Sequence, residues 1–241
     1  MHAALIKRFP RLGALYERSK VLSEDNYFGI FDSPVLNEST EKQFTEWEEL
    51  LQTLDPDSFE TFLRKASGRV AARLKTPDRG WNQLIEAFNE IRGYQHAIKL
   101  GYSRARLLDE RSSPLPDVES TALGGDKCLL EVKTIQESEE ELEMRGKIQS
   151  AKLGLPGRLE RAIRRKYSHA IEQINGHPSA GEARKVCYLI INLDLATALA
   201  EGNKKLLEVF CQGLERDGVE IHCISKYWPA DPETLSSPKD R

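Results

Sequence analysis

The chain has 241 residues, 39% of them hydrophobic and 30% charged, and carries a formal net charge of −3. That length holds one large domain or a small domain joined to a medium one, and the balance excludes wholesale disorder. A surface that gripped nucleic acid everywhere would be basic, so any such contact is expected to be local.

No apolar run has the length needed to cross a bilayer, and the start, Met1 to Pro10, lacks the sustained apolar stretch of a secretory signal. A cytoplasmic protein without membrane contact is therefore expected. Cys128, Cys187, Cys211 and Cys223 all lie in apolar segments and none are spaced Cys-x-x-Cys, so buried reduced thiols are expected rather than zinc ligands.

Residues 1 to about 40 show no clean period and are read as one or two short helices plus loop. Phe44, Trp47, Leu50, Leu51 and Leu54 then fall on one helical face. Asp55-Pro56-Asp57 interrupts that helix, and Asp57 with Glu60 resembles a capping box for the next one. The next helix is expected to turn Phe59, Phe62, Leu63, Ala66, Val70 and Leu74 inward. Thr76 to Gly80 breaks the pattern and marks a domain boundary, giving an N-terminal helical region over 1–78.

Trp81 to Leu100 reads as a helix stopped by Gly101. Strands are expected over 103–108, 117–122 and 127–135, the last a continuous apolar run of the kind buried on both faces. Gln136 to Pro156 is polar. A helix over 158–175, a strand over 186–193, a helix over 204–214 and a strand over 219–227 follow, and the tail from Pro229 is polar. Three consecutive strands imply an antiparallel meander, and the later strand-helix-strand a parallel crossover. The fold class is α/β, a mixed sheet flanked by helices, with the domain running over 79–228.

Glu131 and Lys133 are two apart on one expected strand, so their side chains leave the same face. A turn at Gly124-Gly125-Asp126 lets the preceding strand fold back and bring Asp117 alongside. Two converging carboxylates make a hard-oxygen site suited to Mg²⁺ or Mn²⁺. A lysine beside them can orient an attacking water, help deprotonate it, or stabilise negative charge on a phosphate.

Pro116-Asp117 and Glu131-x-Lys133, on the second and third strands after a helix, resemble the PD-(D/E)XK nuclease superfamily with its restriction-endonuclease-like fold. The resemblance covers residues 80 to about 228. It implies a nuclease acting on DNA, or less readily RNA, with Asp117 and Glu131 binding the catalytic divalent metal and Lys133 assisting the water. It also implies a glutamate on the first helix, where Glu90, on the edge of the stripe Ala87, Ile91, Tyr94 and Ile98, is the choice and Glu86, one turn earlier, the competitor; the alternative for Glu90 is a solvated helix residue. On the helix after the third strand, Lys166 and Gln173 share the inward face with Leu159, Ala162, Ile163, Ala170 and Ile174. Either the site supplies their partners or they reach solvent.

Arg158, Arg161 and Arg165 form a stripe on the outer face of that helix, either a phosphate contact or a solvated face. The acidic segment Glu137 to Glu141 reads as a solvated helix start or a flap over the site. Trp47 and Trp81 are expected in the core, and the Gly124-Gly125 turn lacks the spacing of a phosphate loop. The N-terminal helices would supply substrate choice or a homodimer contact. The rival reading is a nucleic-acid-binding or scaffold module that keeps the fold without cleaving.

Overall fold

A computed structural model describes residues 3–20, 27–28, 36–70, 81–109, 115–135, 157–192 and 201–226. The expected boundary near 78, the acidic segment 137–141 and the tail from 229 lie outside these residues. The chain divides into two compact units, one holding residues up to His96 together with Arg106–Asp109, the other Ala97–Ala105 and the segments that follow Glu110.

The first unit is helical: α1 (Ala3–Arg8), α2 (Pro10–Lys20), α3 (Glu38–Gln52), α4 (Pro56–Val70) and most of α5 (Asn82–Lys99). Its core is aromatic. Trp47, Phe44, Phe62 and Phe88 are buried, as is Trp81, and the Trp47 and Phe88 rings stack with centroids 4.1 Å apart. Asn37 caps α3 through the Thr40 N–H at 2.8 Å. Helix α2 begins with Pro10 and has no acid in its first turn. Buried Glu48 of α3 supplies the missing charge, accepting the N–H groups of Arg11 at 3.1 Å and Leu12 at 3.0 Å. Arg11 reciprocates, donating to the Leu54 carbonyl at 3.0 Å and to the Leu51 carbonyl at the end of α3.

Three local expectations are corrected here. The cap of α4 is Asp55, whose carboxylate accepts the N–H groups of Asp57 at 3.0 Å and Ser58 at 3.1 Å. Pro56 at the first helical position fixes this, because it lacks an N–H and its φ already suits the helix. Phe59 is half-buried rather than inward, with the Arg11 guanidinium over its ring. On α5 the stripe Ala87, Ile91, Tyr94 continues to Ala97 and not to Ile98, which is exposed; residues from Ala97 on count with the second unit. Gly101, at φ +98°, ends the helix as expected.

A five-stranded mixed sheet runs in the order β1-β2-β3-β4-β5, with β1 (Arg104–Leu107), β2 (Val118–Thr121), β3 (Lys127–Ile135), β4 (Ala183–Asn192) and β5 (Val219–Lys226). Strand β2 pairs antiparallel with β3, while β3–β4 and β4–β5 are parallel, each joined by a helix: α6 (Gly157–Asn175) and α7 (Glu201–Gln212). At the β2–β3 turn Gly125 takes φ +94°, and Ala122 and Asp126 close the hairpin with a 2.8 Å bond.

Alternation along β3 sorts its residues. Leu129 and Ile135 share one face with Cys187, Leu189 and Ile191 of β4, against Ile163, Tyr167, Ala170 and Ile174 of α6 and Leu207 of α7. Cys128, Leu130, Val186 and Ile190 on the opposite face are buried too, which is why the strand reads as an unbroken apolar run. The Tyr167 hydroxyl anchors α6 to the α7–β5 turn, donating to the Val219 carbonyl at 2.6 Å and accepting the Arg216 N–H at 3.0 Å. Among the described residues no helix is long and apolar enough to cross a membrane.

Candidate functional site

Two polar side chains, Glu131 and Lys133, interrupt the row between Leu129 and Ile135 on the α6 side of the sheet. The β2–β3 register pairs Val118 with Leu130. One residue further on, Asp117 stands across from Glu131, where facing side chains lie about 5 Å apart at their Cβ atoms. Both acids are buried, Asp117 at 4% exposure and Glu131 at 1%.

Each carboxylate holds the other's backbone. The Asp117 N–H donates to Glu131 Oε2 at 3.1 Å, and the Val132 N–H donates to Asp117 Oδ2 at 2.9 Å. Backbone donors of this kind orient a carboxylate and stabilise its charge. Lys133 Nζ donates to Glu131 Oε1 and, at 2.5 Å, to Gln173 Oε1 on α6. Gln173 Nε2 in turn donates to the Leu115 carbonyl at 3.2 Å, two residues before Asp117. Asp117, Glu131 and Lys133 are thus brought together, and Gln173 joins them.

Burial by itself would lower the Lys133 pKa. The Glu131 carboxylate, by charge and hydrogen bond, and Asp117, by charge, outweigh burial and hold the ammonium above its ordinary value. Cys187 pairs with Glu131 in the β3–β4 register and is fully buried; burial first, then the neighbouring Glu131 charge, push its thiol far up. It is a neutral neighbour of the acids that the sequence had marked only as core.

The remaining expected residues have these surroundings. Glu90 lies in the first unit, buried on α5, with its carboxylate 2.5 Å from Lys65 Nζ and 3.3 Å from Arg69 of α4. That overturns a solvated side chain at this position. Glu86 is half-buried on the same helix. Lys166 is half-buried two turns before Gln173 on α6. Arg161 and Arg165 are exposed, as the outer-face stripe requires, while the Arg158 side chain lies outside what is described. Two members of the site environment were not legible in the sequence: the Leu115 carbonyl, a backbone atom, and Cys187, whose approach depends on strand register.

Paired carboxylates are the donor type a hard divalent cation takes, and here both Glu131 oxygens and Asp117 Oδ2 already accept hydrogen bonds. Two carboxylates face one lysine, and charges taken out of water at this depth call for compensation. Among the described residues no three of His, Cys, Asp and Glu form a group able to hold an ion. A cation here would rest on Asp117 and Glu131, with water and substrate oxygens completing its shell, the habit of Mg²⁺ at phosphate-handling sites. No protein-family model matches the chain, and no curated protein matches it.

Proposed function

We propose that the chain is a divalent-metal-dependent phosphodiesterase of the PD-(D/E)XK type that hydrolyses nucleic acid, DNA ahead of RNA. The observation that carries the reading is the exchange between Asp117 and Glu131 across the β2–β3 seam, with Lys133 hydrogen-bonded to Glu131. Mixed sheet order, helix placement and the Asp…Glu-x-Lys spacing all agree with it.

When bound, Mg²⁺ or Mn²⁺ lowers the pKa of its water and polarises a phosphoryl oxygen. Asp117 and Glu131 would hold that ion. Lys133 orients the attacking water and stabilises negative charge on the phosphate. Arg161 and Arg165, exposed on α6, are the candidate backbone-phosphate contacts, together with Arg158. Cytoplasmic work suits the free cysteines Cys128, Cys187, Cys211 and Cys223.

Net charge −3 favours a second reading, in which the fold binds nucleic acid or a protein without cutting. Cleavage of mixed DNA and RNA substrates with Mg²⁺ or Mn²⁺ separates the two, comparing wild type with Asp117→Ala and Lys133→Ala. Metal-dependent cutting lost in both variants supports the phosphodiesterase. No cutting, with Mn²⁺ failing to raise the wild-type melting temperature above its effect on Asp117→Ala, moves the assignment to the binding module.

A further inference from the structure

The Lys133 head group is held from two elements at once. Glu131 reaches it along its own strand, and Gln173 reaches it from α6. Both ends of the Gln173 amide are engaged: Oε1 accepts from Lys133, and Nε2 donates to the carbonyl of Leu115. Leu115 precedes Pro116 and Asp117, so the second bond holds the segment that delivers the first acid. Ile171 and Ile174, two residues before Gln173 and one after it, are buried against the sheet, and Ala170 one turn earlier is fully buried. The amide therefore stands on a helix that cannot rotate without opening the core.

We propose that Gln173 is a positioning residue, a single amide that ties the lysine to the Asp117 lead-in and so sets where Lys133 stands relative to both acids. This rests on the phosphodiesterase reading for its catalytic consequence, though not for its geometry. A lysine has four rotatable bonds and a mobile ammonium, so a polar group that selects one placement supplies orientation the side chain lacks. Glutamine suits the task because it carries an acceptor and a donor on one planar group; glutamate has only acceptors, and an apolar side chain has neither.

Gln173→Met keeps the length and removes the amide, and Gln173→Glu keeps an acceptor for Lys133. Partners of this rank are typically worth about 10- to 100-fold in activity. The expected result is a drop of that size in kcat for Gln173→Met with KM little changed. The double variant Lys133→Ala/Gln173→Met should be no worse than Lys133→Ala alone, because Gln173 acts through Lys133. Fully additive losses would overturn the proposal.

A readout independent of cleavage is the ¹⁵N-detected ammonium signal of Lys133, assigned by its disappearance in Lys133→Ala. It should be resolved in wild type, retained in Gln173→Glu and broadened away in Gln173→Met. If wild type does not cut any substrate but the signal behaves this way, the phosphodiesterase reading fails and the positioning role stands. A Lys133 signal unchanged in Gln173→Met overturns the positioning role whatever the activity. Should Gln173→Met not fold, Gln173→Glu carries the test: with the donor to the Leu115 carbonyl gone, the Asp117 amide signal should shift while the Lys133 signal persists, and an unmoved Asp117 amide overturns the proposal.

Discussion

The carboxylate of Asp117 accepts the main-chain N–H of Val132, so an acid at the head of one strand secures the backbone of the next. Removing the side chain strands a buried donor, which costs about 1–3 kcal/mol. Asp117→Ala should therefore lower the metal-free melting temperature. Asp117→Asn keeps a carbonyl oxygen for Val132 and removes one of two neighbouring negative charges, so it should melt at or above wild type while losing Mn²⁺ stabilisation. Thermal scans with and without Mn²⁺ check this; equal destabilisation by both variants would remove the charge conflict from the account.

Glu90 is held by Lys65 and Arg69 in the helical unit, and the Lys65 side chain is at least as buried as that of the acid. Deleting one member of a buried ionic group leaves charge uncompensated and costs about 3–5 kcal/mol. Arg69 is more exposed and can turn to water, so Glu90→Ala belongs near the lower end. Urea unfolding measures it. Glu90→Gln retains acceptor oxygen for Lys65, and cleavage that survives this change would take Glu90 out of the catalytic set.

Glu48 joins α3 to the start of α2 through two backbone N–H groups. Glu48→Ala leaves both donors unpaired in a buried setting, and a loss of about 2 kcal/mol is expected from the cap and dipole together. Glu48→Gln should recover part of it. The urea midpoint followed by far-UV circular dichroism reports both, and a midpoint unchanged by Glu48→Ala would show that water replaces the carboxylate.

Asp55 gives a prediction in pH. Burial by itself would raise its pKa; hydrogen bonds from Ser58, Tyr94 and the Asp57 N–H outweigh burial and hold the carboxyl below its ordinary range. A folded pKa below the unfolded one means that the contribution is complete above the unfolded value and fades as pH falls through the folded one. The stability gap between wild type and Asp55→Ala should be flat near neutrality and narrow in acid. A gap that widens as pH falls contradicts the assignment.

Much of the sheet could be read from side-chain type alone. The apolar run of β3 is buried on both faces, and the two-residue spacing of Glu131 and Lys133 put them on one face before any register was known. Asp117 followed from the glycine turn, which sets how far back β2 reaches. What could not be read depends on partners far along the chain. Arg11 and Glu48 cap each other's helices across 37 residues, and nothing local to either marks it. Lys65 and Arg69 meet Glu90 from a neighbouring helix, so an acid with an ordinary surface pattern is buried. Asp55 was readable, since Pro56 after an acidic residue signals a helix start; the capping-box spacing of Asp57 and Glu60 concealed it.

Strand β2 has four residues, whereas β3 and β4 pair along nine. The acid pair therefore spans a short strand and a long one, and the two have very different resistance to opening. Fraying of β2 would separate Asp117 from Glu131 while the three parallel strands and α6 stayed folded. Amide exchange at Val132 should then run well ahead of exchange at its neighbours toward β4, and warming should silence the site below the temperature at which the sheet melts.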